Sequence, residues 1–167
     1  MKRIVIVGAP GSGKSTLAAR LGQCLKVPVF ERDGLGKLGS PEYRSAVTSL
    51  LENEAWIFDG FPYYVDAEVY SAADTVIALD YPRHVVLRRV LARSLLLTRG
   101  VAHGAHRPSS IRSWFDRDHA VRIAWTKYGD RKREIHVLSE WAELLNTSVI
   151  RLANSAAADQ WLSSVCA

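Results

Sequence analysis

The sequence has few cysteines and no long apolar run, and each scarcity excludes a class of protein. Its 167 residues include only Cys24 and Cys166, which show neither CxxC nor metal-ligand spacing. This favours reduced thiols in a cytoplasmic protein over a disulfide framework. No apolar run approaches the ~20 residues of a membrane-spanning helix, and the run that follows the first basic residues is too short for a secretory signal. We therefore expect a cytoplasmic protein without a membrane partner.

Acidic residues are scarce between residues 83 and 133, and that stretch is strongly basic. It holds eleven arginines and two lysines against three aspartates, a net charge of +10, whereas the whole chain carries +5. Arginine outnumbers lysine sixteen to six overall, and its planar guanidinium suits bidentate contacts with phosphate. The stretch indicates either a polyanionic ligand or a solvated helical face.

The remaining composition is that of one globular domain spanning 1–167, with 48% hydrophobic and 23% charged residues and no internal repeat. Apolar strand-like runs alternate with helical patterns. We expect strands near 3–7, 28–31, 55–58, 75–79 and 148–152. We expect helices near 14–25, from 41, and near 82–98, 110–128, 131–145 and 156–165. This alternation predicts an α/β fold, a five-stranded parallel sheet with helices on both faces, whose carboxyl edge binds the ligand.

One motif identifies the ligand class. Residues 8–15 match G-x-x-x-x-G-K-[ST] completely, between a predicted strand and a predicted helix. The glycines allow a tight turn, and the helix N-terminus attracts phosphate. Lys14 would contact the β- and γ-phosphates and Ser15 would ligate Mg²⁺. The motif predicts ATP and Mg²⁺ as cofactors and a P-loop NTPase fold of three α/β/α layers. The expected nucleotide-binding residues are Gly8, Ala9, Pro10, Gly11, Ser12, Gly13, Lys14, Ser15 and Thr16.

Two acidic residues follow predicted strands at the ligand edge. Asp59 comes at the end of the third strand, where it would hold Mg²⁺ with Ser15; alternatively it belongs to an Asp-Gly turn. Asp33 comes at the end of the second strand, where it would orient or deprotonate an acceptor hydroxyl. Its alternative role is that of a loop acid or helix cap.

The basic stretch contains arginines placed for phosphoryl transfer. Arg89 and Arg93 are four residues apart and share one face of a helix. Arg99 and Arg107 flank a glycine-containing loop. We predict a short helical lid at about 94–112 whose arginines neutralise charge on the transferred phosphoryl group, so all four are candidate catalytic residues with Lys14 and Asp33.

These motifs resemble the adenylate-kinase-like P-loop kinases. Residues 57–62, IFDGFP, are similar to the segment after the third strand in that family, and residues 77–80, a proline and Arg89-x-x-x-Arg93 resemble the region before its lid. Within the family, residues 56–60 and the tryptophan-rich helix after a short lid are most similar to the bacterial DNA topology modulation (FlaR-related) proteins. The resemblance implies ATP-dependent chemistry and places Asn154 in the loop that contacts the base, although Asn154 is equally suited to cap a helix.

The sequence departs from this family on the acceptor side. Tyr63 and Tyr64 stand where nucleoside monophosphate kinases carry an arginine for the acceptor phosphate, and residues 34–39 do not reproduce the adenylate kinase acceptor motif. Arg44 is the only substitute nearby. The resemblance therefore does not carry AMP over as the acceptor.

Two functions are compatible with these features. The favoured one is phosphoryl transfer from Mg-ATP to a hydroxyl or phosphate of a small acceptor, a nucleoside or nucleotide being preferred. The alternative is a nucleotide-dependent nucleic-acid-binding protein that modulates DNA topology through its basic stretch.

Overall fold

A computed structural model of the chain describes residues 1–61, 67–99 and 119–167. Several predictions from the sequence concern residues outside these ranges. They include the part of the expected lid beyond Arg99, with Arg107, the first part of the helix expected at 110–128, and Tyr63 and Tyr64.

Strands and helices alternate along the described chain. The strands are β1 (Arg3–Gly8), β2 (Val29–Glu31), β3 (Trp56–Asp59), β4 (Thr75–Leu79) and β5 (Ser148–Leu152). The helices are α1 (Lys14–Leu25), α2 (Pro41–Leu51), α3 (Ala67–Ala72), α4 (Arg83–Thr98), α5 (Ala120–Thr126), α6 (Tyr128–Leu144) and α7 (Ser155–Val165), with a 3₁₀ turn at Arg32–Gly34. None of the described helices is long and apolar enough to cross a membrane.

The five strands form one parallel sheet in the order β2-β3-β1-β4-β5, which confirms the predicted architecture. β1 is central, and its Ile6 lies opposite Asp59 of β3. Gly8, the last residue of β1, lies opposite Leu79 of β4. Because all strands run in the same direction, their carboxyl ends meet at one edge of the sheet. The P-loop, Asp59 and the turn after β2 lie together at this edge.

The alternation of side chains along β1 separates the core into two halves. Ile4 and Ile6 face a cluster built with α1, α4, α5 and α7, whereas Val5 and Val7 face a cluster built with α2, α3 and α6. All four side chains are fully buried. Apolar residues at successive positions are what a strand needs when both faces are covered, so the chain forms the expected three layers.

Several boundaries differ from the prediction. Helix α3 was not anticipated, because six residues are too few to show a helical period. Helix α6 begins at Tyr128 rather than near 131, and the hydroxyl of Tyr128 donates a hydrogen bond to the carbonyl of Tyr81 at 2.7 Å. A contact between distant segments therefore sets this helix start, and local propensity does not reveal it.

The expectation of two reduced thiols is wrong. Cys24 and Cys166 form a disulfide with 5.7 Å between their Cα atoms, although 142 residues separate them in sequence. Cys24 lies in the last turn of α1 and Cys166 directly follows α7. Motif spacing detects cysteines that are neighbours in sequence, whereas this pair meets only because two helices pack on the same face of the sheet.

Asp74 joins the starts of β1 and β4 at the amino edge of the sheet. Its carboxylate accepts hydrogen bonds from the backbone N–H groups of Lys2 (2.7 Å) and Arg3 (2.9 Å) and from the hydroxyl of Thr75 (2.7 Å). Burial works to raise the pKa of Asp74, but these hydrogen bonds outweigh it and hold the pKa below its ordinary value.

We expect Asp74→Ala to lower the free energy of unfolding by about 1 kcal/mol near neutral pH. Since the folded-state pKa is depressed, the contribution of the carboxylate is complete above the ordinary value of 3.8 and disappears as the pH falls through the folded-state pKa. Urea unfolding of the wild type and of Asp74→Ala at stepwise lower pH should therefore show a decreasing difference between their free energies of unfolding. Glu54→Ala, an exposed change near the same edge, is the matched control. A difference for Asp74→Ala that is independent of pH would contradict this assignment.

Candidate active site

The P-loop is shaped by glycines that tolerate no side chain. Gly11 and Gly13 have φ angles of 83° and 97°, which favour glycine. A Cβ on Gly8 would lie 2.7 Å from Oγ of Ser12, and one on Gly11 would lie 2.5 Å from Cγ2 of Val90 on α4. The loop therefore turns directly from β1 into α1, whose first N–H groups have no acceptor within the helix and are available to phosphate.

Lys14 occupies the centre of the charged groups at this edge. Its ammonium donates a long hydrogen bond of 3.4 Å to the carbonyl of Ala9. Burial lowers the pKa of Lys14, while the carboxylates of Asp59 and Asp33 act to raise it. Such a loosely held ammonium can exchange its carbonyl partner for a phosphate oxygen.

Asp59 ends β3 beside the P-loop, where the sequence predicted a magnesium ligand. The residue is only 7% exposed, and its Oδ1 is buried with no hydrogen-bond partner among the described residues. Burial raises the pKa of Asp59, whereas the nearby Ser15 hydroxyl and Lys14 ammonium act to lower it. A buried carboxylate oxygen without a donor is costly unless a cation or bound water satisfies it.

These observations fit a Mg²⁺ ion. Ser15 and Asp59 supply the hydroxyl and carboxylate oxygens that Mg²⁺ prefers. Among the described residues, no group of three or more acidic, histidine or cysteine side chains is arranged to hold a metal ion. Phosphate and water would therefore complete the coordination of Mg²⁺. Mg²⁺ would neutralise phosphate charge when bound.

Asp33 lies at the same edge, but not as the last residue of a strand. β2 ends at Glu31, and Asp33 belongs to the 3₁₀ turn that follows. Its side chain is 95% exposed, and its Oδ1 lies 2.9 Å from Nη1 of Arg32. A Cβ on Gly60 would lie 2.8 Å from Cβ of Arg32, so the glycine after Asp59 lets this turn approach β3 closely.

Helix α4 brings two predicted arginines to the P-loop. Nη1 of Arg89 donates a hydrogen bond of 3.1 Å to the carbonyl of Ser12, and its guanidinium lies 5.3 Å from the ring centre of Tyr81. Arg93, one turn later, is half-buried and close enough to Lys14 to lower its pKa. Burial also lowers the pKa of Arg93. The close contact of Val90 with Gly11 fixes this approach of α4.

Of the two predicted lid arginines, the structure describes only Arg99, and it places Arg99 away from Lys14. Arg99 caps the carboxyl end of α4, and its side chain is exposed. At 1.5 Å per residue it lies about 15 Å beyond Arg89 along the helix axis. Arg107 lies outside the described residues, so its predicted role stays a prediction.

Arg131 reaches the site, and the sequence analysis did not single it out. It lies in the first turns of α6, with its guanidinium 5.0 Å from the ring centre of Phe61, and its side chain is 18% exposed. Nη1 of Arg131 pairs with Glu134 at 2.5 Å, and its charge lowers the pKa of Lys14. The sequence pointed to Arg131 only through its position in the basic stretch, at the expected start of a helix.

Asn154 caps α7. Its Oδ1 accepts a hydrogen bond of 2.9 Å from the N–H of Ala157, which is the helix-cap role considered above. A contact with the nucleobase stays a prediction. Pro10 and Thr16 flank the central P-loop residues, and Thr16 is exposed in the first turn of α1.

Two known proteins are similar in sequence to part of the chain. The chain is 31% identical to "Adenylate kinase" of Streptomyces lividans, over 54% of this chain and 62% of that protein. It is 32% identical to "GTP:AMP phosphotransferase, mitochondrial" of Drosophila melanogaster, over 54% of this chain and 56% of that protein. The match thus spans less than two thirds of either relative. No family model matches the chain.

Solved structures extend the likeness to the whole fold. Shikimate kinase from Bacteroides thetaiotaomicron superposes with a TM-score of 0.51 at 17% identity, over 99% of this chain and 94% of that one. Shikimate kinase from Acinetobacter baumannii, solved with shikimate, gives 0.50 at 15% identity, over 99% and 90%. The fold is the three-layer α/β/α fold of the P-loop NTPases. At these identities the likeness to the shikimate kinases concerns the fold alone.

The burial of Asp59 leads to a test that separates stability from binding. We expect Asp59→Asn to raise the free energy of unfolding of the nucleotide-free protein by about 1 kcal/mol near neutral pH, because the amide avoids burying a charge. Because burial raises the folded-state pKa of Asp59, the free energy of unfolding falls as the pH rises through that pKa. The amide of asparagine does not ionise and so avoids this loss. The same change should weaken Mg²⁺-dependent ATP binding at least about tenfold.

Urea unfolding without nucleotide and calorimetric ATP titrations with and without Mg²⁺ provide the two readouts. Asp33→Asn is the control for stability, because its carboxylate is exposed and should change the unfolding free energy by less than about 1 kcal/mol. An Asp59→Asn protein that is less stable than the wild type and binds Mg-ATP equally well would contradict the assignment.

Proposed function

We propose that the protein is an ATP-dependent kinase that transfers the γ-phosphoryl group of Mg-ATP to a hydroxyl or phosphate group of a small acceptor. The observation that carries this proposal is the convergence of Lys14, Asp59, Asp33, Arg93 and Arg131 at one sheet edge, where each of the other four charges acts on the pKa of Lys14. Phosphoryl transfer depends mainly on positioning and on neutralising charge, and this set supplies both.

Each group has a distinct task in the proposed reaction. The N–H groups at the start of α1 and the ammonium of Lys14 would hold the β- and γ-phosphates. Ser15 and Asp59 would hold Mg²⁺. The acceptor oxygen forms a bond to the γ-phosphorus, the bond from that phosphorus to the β–γ bridging oxygen breaks, and ADP leaves. With a hydroxyl acceptor, Asp33 would receive the proton, and its exposure leaves it accessible to that hydroxyl.

The arginines of α4 and α6 would have different tasks beside the P-loop. Arg89 holds the P-loop backbone through Ser12 and so acts mainly on loop position. Arg93 and Arg131 approach Lys14 from α4 and α6 respectively. Arg99 and Arg107 would contribute from the predicted lid at about 94–112 when it closes over the site.

A nucleoside or nucleotide is the preferred acceptor. The relatives named adenylate kinase and GTP:AMP phosphotransferase support a nucleotide kinase-like activity. The sequence gives AMP no support as the acceptor, because Tyr63 and Tyr64 stand where the family carries an arginine. Arg44, the only substitute nearby, is exposed on α2. A nucleoside hydroxyl would need no additional phosphate-binding arginine.

The resemblance to DNA topology modulation proteins supplies the alternative function, and no contact in the described residues favours it. Cytoplasmic location is likewise a prediction, and it no longer has support from the cysteines because these are paired. Nucleic-acid binding would show itself by a steep fall of the binding constant with salt, set by the number of phosphates contacted.

The decisive experiment measures ADP release from Mg-ATP across nucleosides, nucleoside monophosphates and small hydroxy metabolites. We expect one acceptor class to raise turnover at least about tenfold above the acceptor-free rate, and Lys14→Ala to abolish that increase. ATP binding without any acceptor-dependent turnover would contradict the kinase proposal. Parallel titrations with DNA and RNA at several salt concentrations would then test the alternative.

Arg131 can be tested against a matched arginine on the same helix. Arg131→Ala should lower kcat by about 10- to 1000-fold, as expected for removal of one cation that stabilises the transition state. Arg133→Ala removes the same charge two residues later, where the side chain is 78% exposed and paired with Asp130, and should leave kcat within about twofold. Equal effects of the two changes would indicate that only net charge matters.

A further inference from the structure

The disulfide between Cys24 and Cys166 joins the ends of two helices that start at the active edge of the sheet. Helix α1 begins with Lys14 and carries Cys24 in its last turn. Helix α7 begins directly after β5 and is followed by Cys166. The bond therefore closes a long covalent loop from residue 24 to residue 166, a sequence separation of 142.

Noncovalent contacts hold the same two helices together. Leu17 and Leu21 of α1 belong to the same core cluster as Ala158 and Leu162 of α7. An ion pair of 2.5 Å between Arg20 and Asp159 crosses the two helices, with both side chains about half exposed. These contacts bring the helix ends close before any covalent bond forms, so the disulfide is compatible with the packing of the rest of the fold.

The two cysteine residues differ in exposure. Cys166 is exposed, whereas Cys24 is partly buried. We therefore expect a reductant to attack at Cys166. Both residues lie at carboxyl ends of helices, where the helix dipole disfavours a thiolate. Disfavoured thiolates shift the equilibrium toward the disulfide, so the bond should persist until a sufficiently reducing dithiol acts on it.

We propose that Cys24–Cys166 is a thiol–disulfide exchange site through which a dithiol reductant controls how firmly α7 is held on α1. A thiolate of the dithiol attacks Sγ of Cys166, the S–S bond breaks, and Sγ of Cys24 leaves as a thiolate that takes up a proton. The second thiolate of the dithiol then attacks the mixed disulfide and releases Cys166. In sum, the dithiol loses two electrons and two protons, and the protein gains two thiols.

Reduction should loosen α7 first, because the disulfide ties its end to α1. Reduction should also lower the overall stability, because the disulfide no longer restricts the unfolded chain. We expect the melting temperature to fall by about 10 °C on reduction. We also expect faster hydrogen exchange at the backbone amides of α7, with much smaller changes in the central strand β1.

The test compares the wild-type chain with the Cys24→Ser/Cys166→Ser variant, each before and after treatment with dithiothreitol. Titration of free thiols in denaturant should find none in the air-equilibrated wild type and two after reduction. The melting temperature and α7 exchange should respond to dithiothreitol only in the wild type. If the double variant does not fold, the reduced and alkylated wild type replaces it in the comparison.

Two results would overturn the proposal. One is two free thiols in the wild type after equilibration with oxidised dithiothreitol, since the bond would then not form in the folded protein. The other is a melting temperature and an α7 exchange rate that do not change on reduction. Neither result depends on ATP turnover, so the outcome is independent of the proposed kinase activity.

Discussion

The close packing around Gly8 and Gly11 is the constraint on which the rest of the active edge depends. Gly8 ends the central strand where a single methyl group would collide with Ser12, and Gly11 admits Val90 of α4. Because α4 can approach this closely, Arg89 reaches the P-loop carbonyl of Ser12 and Arg93 comes near Lys14. The absence of side chains at Gly8 and Gly11 thus positions both the P-loop and the arginines beside it.

The same edge concentrates charges that the fold alone does not need. Asp59 is buried with one oxygen lacking a donor among the described residues, and burial shifts the pKa values of Asp59 and Lys14 toward their neutral forms. Such an arrangement costs stability until a ligand of complementary charge is bound. A metal-bound polyphosphate would satisfy it, since Mg²⁺ complements Asp59 and phosphate complements Lys14.

The sequence was sufficient to predict the sheet, its parallel direction and the P-loop, because each of these depends on local patterns. Asp59 and Arg89 could be singled out because they directly follow or occupy a regular element. Arg131 and the Cys24–Cys166 pair could not be predicted, because their contacts form only when segments distant in sequence pack together. Asp33 was predicted at the end of β2 but lies in the turn beyond it, because that strand has only three residues.

The function proposed for this edge is phosphoryl transfer rather than nucleotide binding alone. Phosphorus NMR of the protein with Mg-ATP and a mixture of nucleosides and nucleoside monophosphates tests this function directly, because the fate of the γ-phosphorus is observed. We expect a new phosphoester or phosphoanhydride resonance that grows with ADP and requires Mg²⁺. Conversion of ATP to inorganic phosphate alone, or no loss of ATP, would contradict it.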